Sequence, residues 1–180
     1  MFSKKPATAK AAWAVRLLTP DFLVDGYADS EAHPESRPFF TPDTGSTPAG
    51  TLWLETPRFT QLVTGAAAAP SVSRWLLPYN GHYAALLPFD NASLAAVTKN
   101  AQNHKYAFPA VLHVGPFAIN GQLLSEYEAV DYLNTMANHA CLAMREVEIS
   151  YRLPGAQMAA FKAPLALVRT QLLQGIGLLG

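Results

Sequence analysis

The sequence is short of charge. Of its 180 residues, 13 are Lys or Arg and 13 are Asp or Glu, so charged residues make up 14%, against about 25% in an average globular domain. The formal net charge is zero. Phosphate recognition needs clustered Lys and Arg, and the only basic cluster is Lys4, Lys5 and Lys10, in the lead-in. Nucleic acid is therefore excluded as the main partner. Cysteine is represented once, at Cys141, so no intrachain disulfide is possible and a reducing cytoplasm is the expected location. A long apolar run is missing too. The region from Ala163 to Leu179 is interrupted by Arg169, Gln171 and Gln174, where a membrane-spanning helix needs about 18 clean residues. Ala11 to Leu18 contains Arg16 and is short for a signal-peptide core.

Motifs that carry chemistry are lacking as well. There is no Gly-x-Ser-x-Gly elbow, Walker loop, His-x-x-x-His or Cys-x-x-Cys. The five histidines, His33, His82, His104, His113 and His139, are scattered. No catalytic residue, metal site or cofactor is assigned. His139 and Cys141 would share a face of a strand, but a buried cysteine acting as a small hydrophobe explains the pair better than an activated thiol. Glu126, Glu128 and Asp131 are explained by a helix N-terminus, where carboxylates favour the dipole.

What the chain does have is hydrophobicity, at 50% of residues. An apolar surface short of charge invites covering, so self-association is expected. Pro116-Phe117-Ala118-Ile119-Asn120-Gly121-Gln122 has an echo in Asp21-Phe22-Leu23-Val24-Asp25-Gly26-Tyr27, 95 residues earlier. A second block aligns at 90, with Leu52 on Leu142, Leu54 on Met144, Phe59 on Ile149, and Trp75-Leu76-Leu77 on Leu165-Ala166-Leu167. These echoes predict one β-rich unit used twice, packed about a pseudo-twofold axis. Within Phe117–Leu123 a straight strand puts Phe117, Ile119 and Leu123 on one face, with the glycine marking a bulge.

The expected fold is α+β, mostly β: two similar units of antiparallel strands, each a small curved sheet or partial barrel, joined by a helix. Residues 1–12 form a flexible lead-in. The first unit spans 13–89 and holds a Pro-rich loop at 29–50. A helix at 90–105, capped by Ser93 or Asn91, connects it to a second unit at 106–180, which carries a helix over 126–137 opened by a Ser125–Glu128 capping box. Arg74–Tyr79 and His82–Leu87 flank Asn80-Gly81, the signature of a two-residue hairpin.

Phe117-Ala118-Ile119-Asn120-Gly121, then Asp131-Tyr132-Leu133-Asn134, Leu142 to Ile149 and Ala163 to Arg169 resemble an uncharacterised bacterial family of small β-rich proteins with no assigned function. The resemblance covers residues 110–176, implies a β-rich fold and carries no catalytic residues.

Two functions are compatible with this reading. One is a non-enzymatic binding or assembly protein that forms a homo-oligomer. The other is a small-molecule-binding protein or enzyme with its site in the cleft between the units, reached by His33, Glu35, Arg37 and Asp43 of the long loop. Tyr79, His82 and Tyr83, around the Asn80-Gly81 turn, are the other ligand-binding candidates.

Overall fold

A computed structural model describes residues 13–28, 51–64, 66–68, 72–78, 83–91, 93–95, 104–128, 141–152 and 160–179. Eleven strands lie in one sheet, and every strand pair in it is antiparallel. They are β1 (Trp13–Leu18), β2 (Phe22–Ala28), β3 (Thr51–Gln61), β4 (Ala67–Ala68), β5 (Arg74–Pro78), β6 (Ala85–Pro88), β7 (Tyr106–Val114), β8 (Phe117–Ser125), β9 (Cys141–Tyr151), β10 (Phe161–Arg169) and β11 (Leu173–Leu178). The order across the sheet is β11-β7-β8-β9-β10-β6-β1-β2-β3-β4, with β5 also on β3.

This corrects the α+β expectation. The two halves of the chain are not separate sheets joined by a helix, because β6 pairs with both β1 and β10 and makes one continuous sheet. The reason lies in Ala85-Leu86-Leu87-Pro88, which is buried on both faces. A strand with two dry faces sits in the middle of a sheet. Residue 91 and residues 93–95 are helical, and Asp90, not Ser93 or Asn91, is the cap. Its carboxylate accepts from the Ser93 N–H at 2.7 Å, and the Ser93 hydroxyl accepts from the Asp90 N–H at 3.2 Å. Residues 96–103 of the expected connecting helix and 129–137 of the second helix lie outside the described residues. Glu126 and Tyr127 form a bend, and the Ser125 hydroxyl accepts from the Tyr127 N–H at 2.9 Å.

The Asn80-Gly81 hairpin is also corrected. Its arms, β5 and β6, do not pair with each other; β5 lies on β3, and β6 on β1 and β10. Residues 79–82 lie outside the described residues.

Each half repeats one order: β6-β1-β2-β3-β5 and β11-β7-β8-β9-β10. The registers agree residue by residue. Adding 95 to a β1 or β2 number and 90 to a β3 or β6 number gives the counterpart. Phe22↔Gln61, Asp25↔Arg58 and Ala28↔Leu54 become Phe117↔Tyr151, Asn120↔Glu148 and Leu123↔Met144. The β1–β6 pair Leu17↔Leu86 becomes Leu112↔Ile176. Two isolated backbone bonds also recur: Phe89 N–H to Ala14 O at 2.9 Å against Leu179 N–H to Pro109 O at 2.8 Å, and Leu62 N–H to Asp21 O at 3.0 Å against Arg152 N–H to Pro116 O at 2.7 Å. For the fourth strand the offset is 91, not 90. Trp75 faces Leu54 where Ala166 faces Met144, so Trp75 corresponds to Ala166.

The glycine stretches sit at the same defect in both halves. The register shifts between Asp25 and Tyr27 and again between Asn120 and Gln122. The extra residue of each bulge lies on the facing strand, β3 or β9, where Thr56 (φ 47°) and Glu146 (φ 54°) enter the left-handed region, and their numbers also differ by 90. β8 therefore runs straight through Asn120-Gly121, as its alternation implied, with Phe117, Ile119 and Leu123 fully buried. A Cβ on Gly121 would lie 2.8 Å from the Arg145 carbonyl oxygen. A bulge that bends the strand this tightly leaves room only for hydrogen there.

The C-terminal half is strongly rolled. β10 and β11 are neighbours in sequence, linked by a 3-10 turn at Thr170–Leu172, yet they border opposite sides of the same five strands. A three-residue link spans roughly 10 Å, whereas four strand spacings in a flat sheet are about 19 Å. The sheet must curl to bring those borders together.

The two cores are cross-filled. One cluster holds Leu112, Phe117, Ile119, Met144 and Ile149 of the C-terminal half and takes Leu18, Ala85 and Leu87 from the N-terminal half. The other holds Val15, Leu17, Val24 and Leu54 and takes Leu124, Ala143, Leu165 and Leu167. Successive β6 and β10 residues point into alternate cores.

Candidate functional site

The contact between the halves is built on β6 and β10. Leu167 faces Leu86, Val168 faces Ala85, and the Arg169 N–H donates to Ala84 O at 2.9 Å. Leu86, Leu87, Ala166, Leu167 and Val168 are all buried here, so the place where a ligand cleft was expected is packed with apolar side chains. The contact joins non-equivalent strands, the fifth of the N-terminal half and the fourth of the C-terminal half. That is a head-to-tail relation. A twofold arrangement would make the reciprocal contact as well, between β5 and β11, and among the described residues these two do not pair.

Polar groups brace this junction. The Arg169 side chain is 4% exposed. Its guanidinium lies over the Tyr83 ring at 5.2 Å and donates to Gln171 Oε1 at 3.3 Å. Cys141 faces it across the ladder. Burial pushes that thiol up to about 11, although the positive Arg169 pulls it the other way. The thiol is therefore protonated at neutral pH and is not a nucleophile. On the outer surface, Arg16 donates to both Asp25 oxygens, at 2.6 and 2.8 Å. Its guanidinium also lies 4.9 Å from the Phe89 ring and 5.9 Å from the Phe161 ring. The hydrogen bond to Asp25 holds the Arg16 pKa above its ordinary value, against the opposing effect of burial. With its fork already occupied by Asp25, Arg16 is a brace between the halves and not an anion site. Tyr151 adds a further tie, donating to Pro20 O at 3.2 Å. Burial first, and Asp21 second, raise the pKa of this phenol.

None of the candidate ligand residues is brought together with another among the described residues. Tyr83 is only 2% exposed, so it is a wall of the junction and not an exposed turn tip. Tyr79, His82, His33 and Arg37 lie outside the described residues, as do Glu35, Asp43, His139 and Asp131. Glu126 and Glu128 are exposed. An open depression of about 440 Å³ lies over the β9 bulge, lined by Glu146, Val147, Glu148, Lys162, Ala163 and Pro164. Its charges include a Glu148–Lys162 pair at 3.8 Å, and no Ser, Thr, Cys or His lines it. Among the described residues no group of three His, Cys, Asp or Glu is placed to hold a metal. No described helix is long and apolar enough to cross a membrane, which leaves strand-based crossing unaddressed.

Protein-family models, curated proteins and solved structures give no match to this chain.

The edges of the sheet are not marked by any motif in the sequence. Among the described residues, the outer edges of β5 and β11 carry no partner strand. The strand at Leu173–Leu178 is one such edge. The signal was available, because carrying the offset of 90 on from Trp75 sets Gly175-Ile176-Gly177-Leu178 on Ala85-Leu86-Leu87-Pro88.

Proposed function

We propose that this is a non-enzymatic assembly protein, acting as a homo-oligomer in the cytoplasm, and that its halves descend from one duplicated unit. The supporting observation for assembly is the open sheet. Its last strand leaves Leu178 and the following Leu179 at 45% and 48% exposure beside half-buried Leu173 and Ile176. An unpaired apolar edge is a template for another chain. The filled junction removes the support for a ligand site between the halves. The repeated registers and the paired left-handed residues Thr56 and Glu146 support the duplication. The buried, protonated Cys141 fits a reducing compartment. The resemblance of residues 110–176 to an uncharacterised bacterial family agrees with the β-rich fold and adds no chemistry. Light scattering on the purified chain at several concentrations tests assembly. A stable multiple of 19.4 kDa is expected, and 19.4 kDa at every concentration contradicts it.

A further inference from the structure

We propose that copies of the chain join head-to-tail through β11 of one and β5 of the next, in the register that β6 and β10 already use within the chain. This rests on the homo-oligomer reading and specifies its interface.

β6 and β11 are the fifth strands of the two halves, while β10 and β5 are the fourth strands. Among the described residues the chain makes one fifth-to-fourth contact, β6 on β10, and leaves the other pair of edges open. Burial records the difference. All four β6 residues are buried, whereas their β11 counterparts, Gly175 to Leu178, are half-buried or exposed. Leu165 to Arg169 of β10 are buried, but Arg74 at the matching start of β5 is exposed and Trp75 half-buried. Leu86 and Ala85 of β6 lie on Leu167 and Val168 of β10, and among the described residues β11 and β5 have no such strand on their outer edges. A twofold relation between the halves would have closed β11 onto β5 within one chain, so the repeating contact has to be continued by a second copy. A heterologous contact of this kind closes into a ring when its rotation permits.

The register follows from the internal contact. Leu167↔Leu86 and Val168↔Ala85, moved by 91 on the β10 side and by 90 on the β6 side, give Leu76↔Ile176 and Leu77↔Gly175. The hydrogen-bonding parity follows too. The Leu179 N–H points to β7, and alternate residues of a strand point the same way. The Gly177 and Gly175 N–H groups therefore face β7, and the Ile176 N–H faces the open edge. Leu77↔Gly175 is then a non-hydrogen-bonded pair, with Cα atoms about 4.5 Å apart, within disulfide reach.

The test uses the full chain. Leu77→Cys with Gly175→Cys, mildly oxidised, should give disulfide-linked dimers and larger species on a non-reducing gel, while Leu77→Cys with Gly177→Cys should not. Ile176→Pro removes one outward N–H without touching the β7 ladder and should lower the mass to 19.4 kDa. Leu178→Lys, at an exposed position, should weaken assembly at least tenfold in concentration even if the proline variant misfolds. Cross-linking confined within single chains overturns the proposal by showing that the sheet closes on itself. An oligomer whose mass survives both edge variants, with no cross-link between chains, also overturns it but leaves the homo-oligomer reading intact. An unaltered chain that is monomeric sinks both.

Discussion

Gly121→Ala is the most informative single substitution. The added Cβ would lie 2.8 Å from Arg145 O, 3.1 Å from Val147 Cγ1 and 3.2 Å from Glu146 O. Two of those atoms are main chain, and they flank Glu146, already held at φ 54°, so the neighbourhood cannot give by rotating a side chain. Forcing a methyl into such a site costs about 1–3 kcal/mol, while the lost freedom of the unfolded chain returns about 0.4–1 kcal/mol. The net expectation is a destabilisation of about 1–2 kcal/mol. At the equivalent Gly26 the nearest atoms are Glu55 O at 3.2 Å and Leu54 Cβ at 3.3 Å. Gly26→Ala should therefore fall within about 1 kcal/mol of neutral, by the same two contributions. Urea unfolding of both variants beside the parent gives the comparison. A neutral or stabilising Gly121→Ala, or a Gly26→Ala that costs more, would refute the bulge geometry.

Other expectations follow from the same structure. Thr56→Gly should stabilise by up to about 1 kcal/mol, because a β-branched residue at φ 47° is released from roughly 1–2 kcal/mol of strain against the entropy cost of glycine; Glu146→Gly should gain less, and loss of stability at Thr56 would contradict this. Leu86→Ala should cost about 2–5 kcal/mol, and calorimetry should still show one transition, since the halves share a sheet and exchange core side chains; two separated transitions would count against the single sheet. Cys141 has its folded pKa raised to about 11, so its contribution is complete below the unfolded value near 9 and is lost as pH rises to 11. Stability measured from pH 8 to 11 should fall less steeply in Cys141→Ala than in the parent, and rapid alkylation of the folded parent at pH 8 would be evidence against burial.

The bulges were legible in the sequence because they break a period of two. Leu142 and Met144 are followed by Val147 and Ile149, one residue out of phase, and a single inserted residue is what the ladder shows at Glu146. The alternation of Phe117, Ile119 and Leu123 likewise placed β8. Strand partners were less legible. An Asn-Gly pair signals a reversal, but it does not say that the flanking strands pair, and here β5 and β6 lie on opposite borders of the N-terminal half. Ala85-Leu86-Leu87-Pro88 has no alternation to read because both its faces are dry, so the strand that unites the molecule looked like one arm of a hairpin. The candidate site suffered for a different reason. Aromatic residues near a turn say nothing about depth, and Tyr83 is buried against Arg169.

The edge-to-edge account is tested most directly by oxidative cross-linking of the Leu77→Cys, Gly175→Cys chain, read on a non-reducing gel. Disulfide-linked dimers and higher species, absent when the second cysteine is moved to position 177, are the predicted result. Cross-links confined to single chains, or none at all in a chain that light scattering shows to be oligomeric, would contradict it.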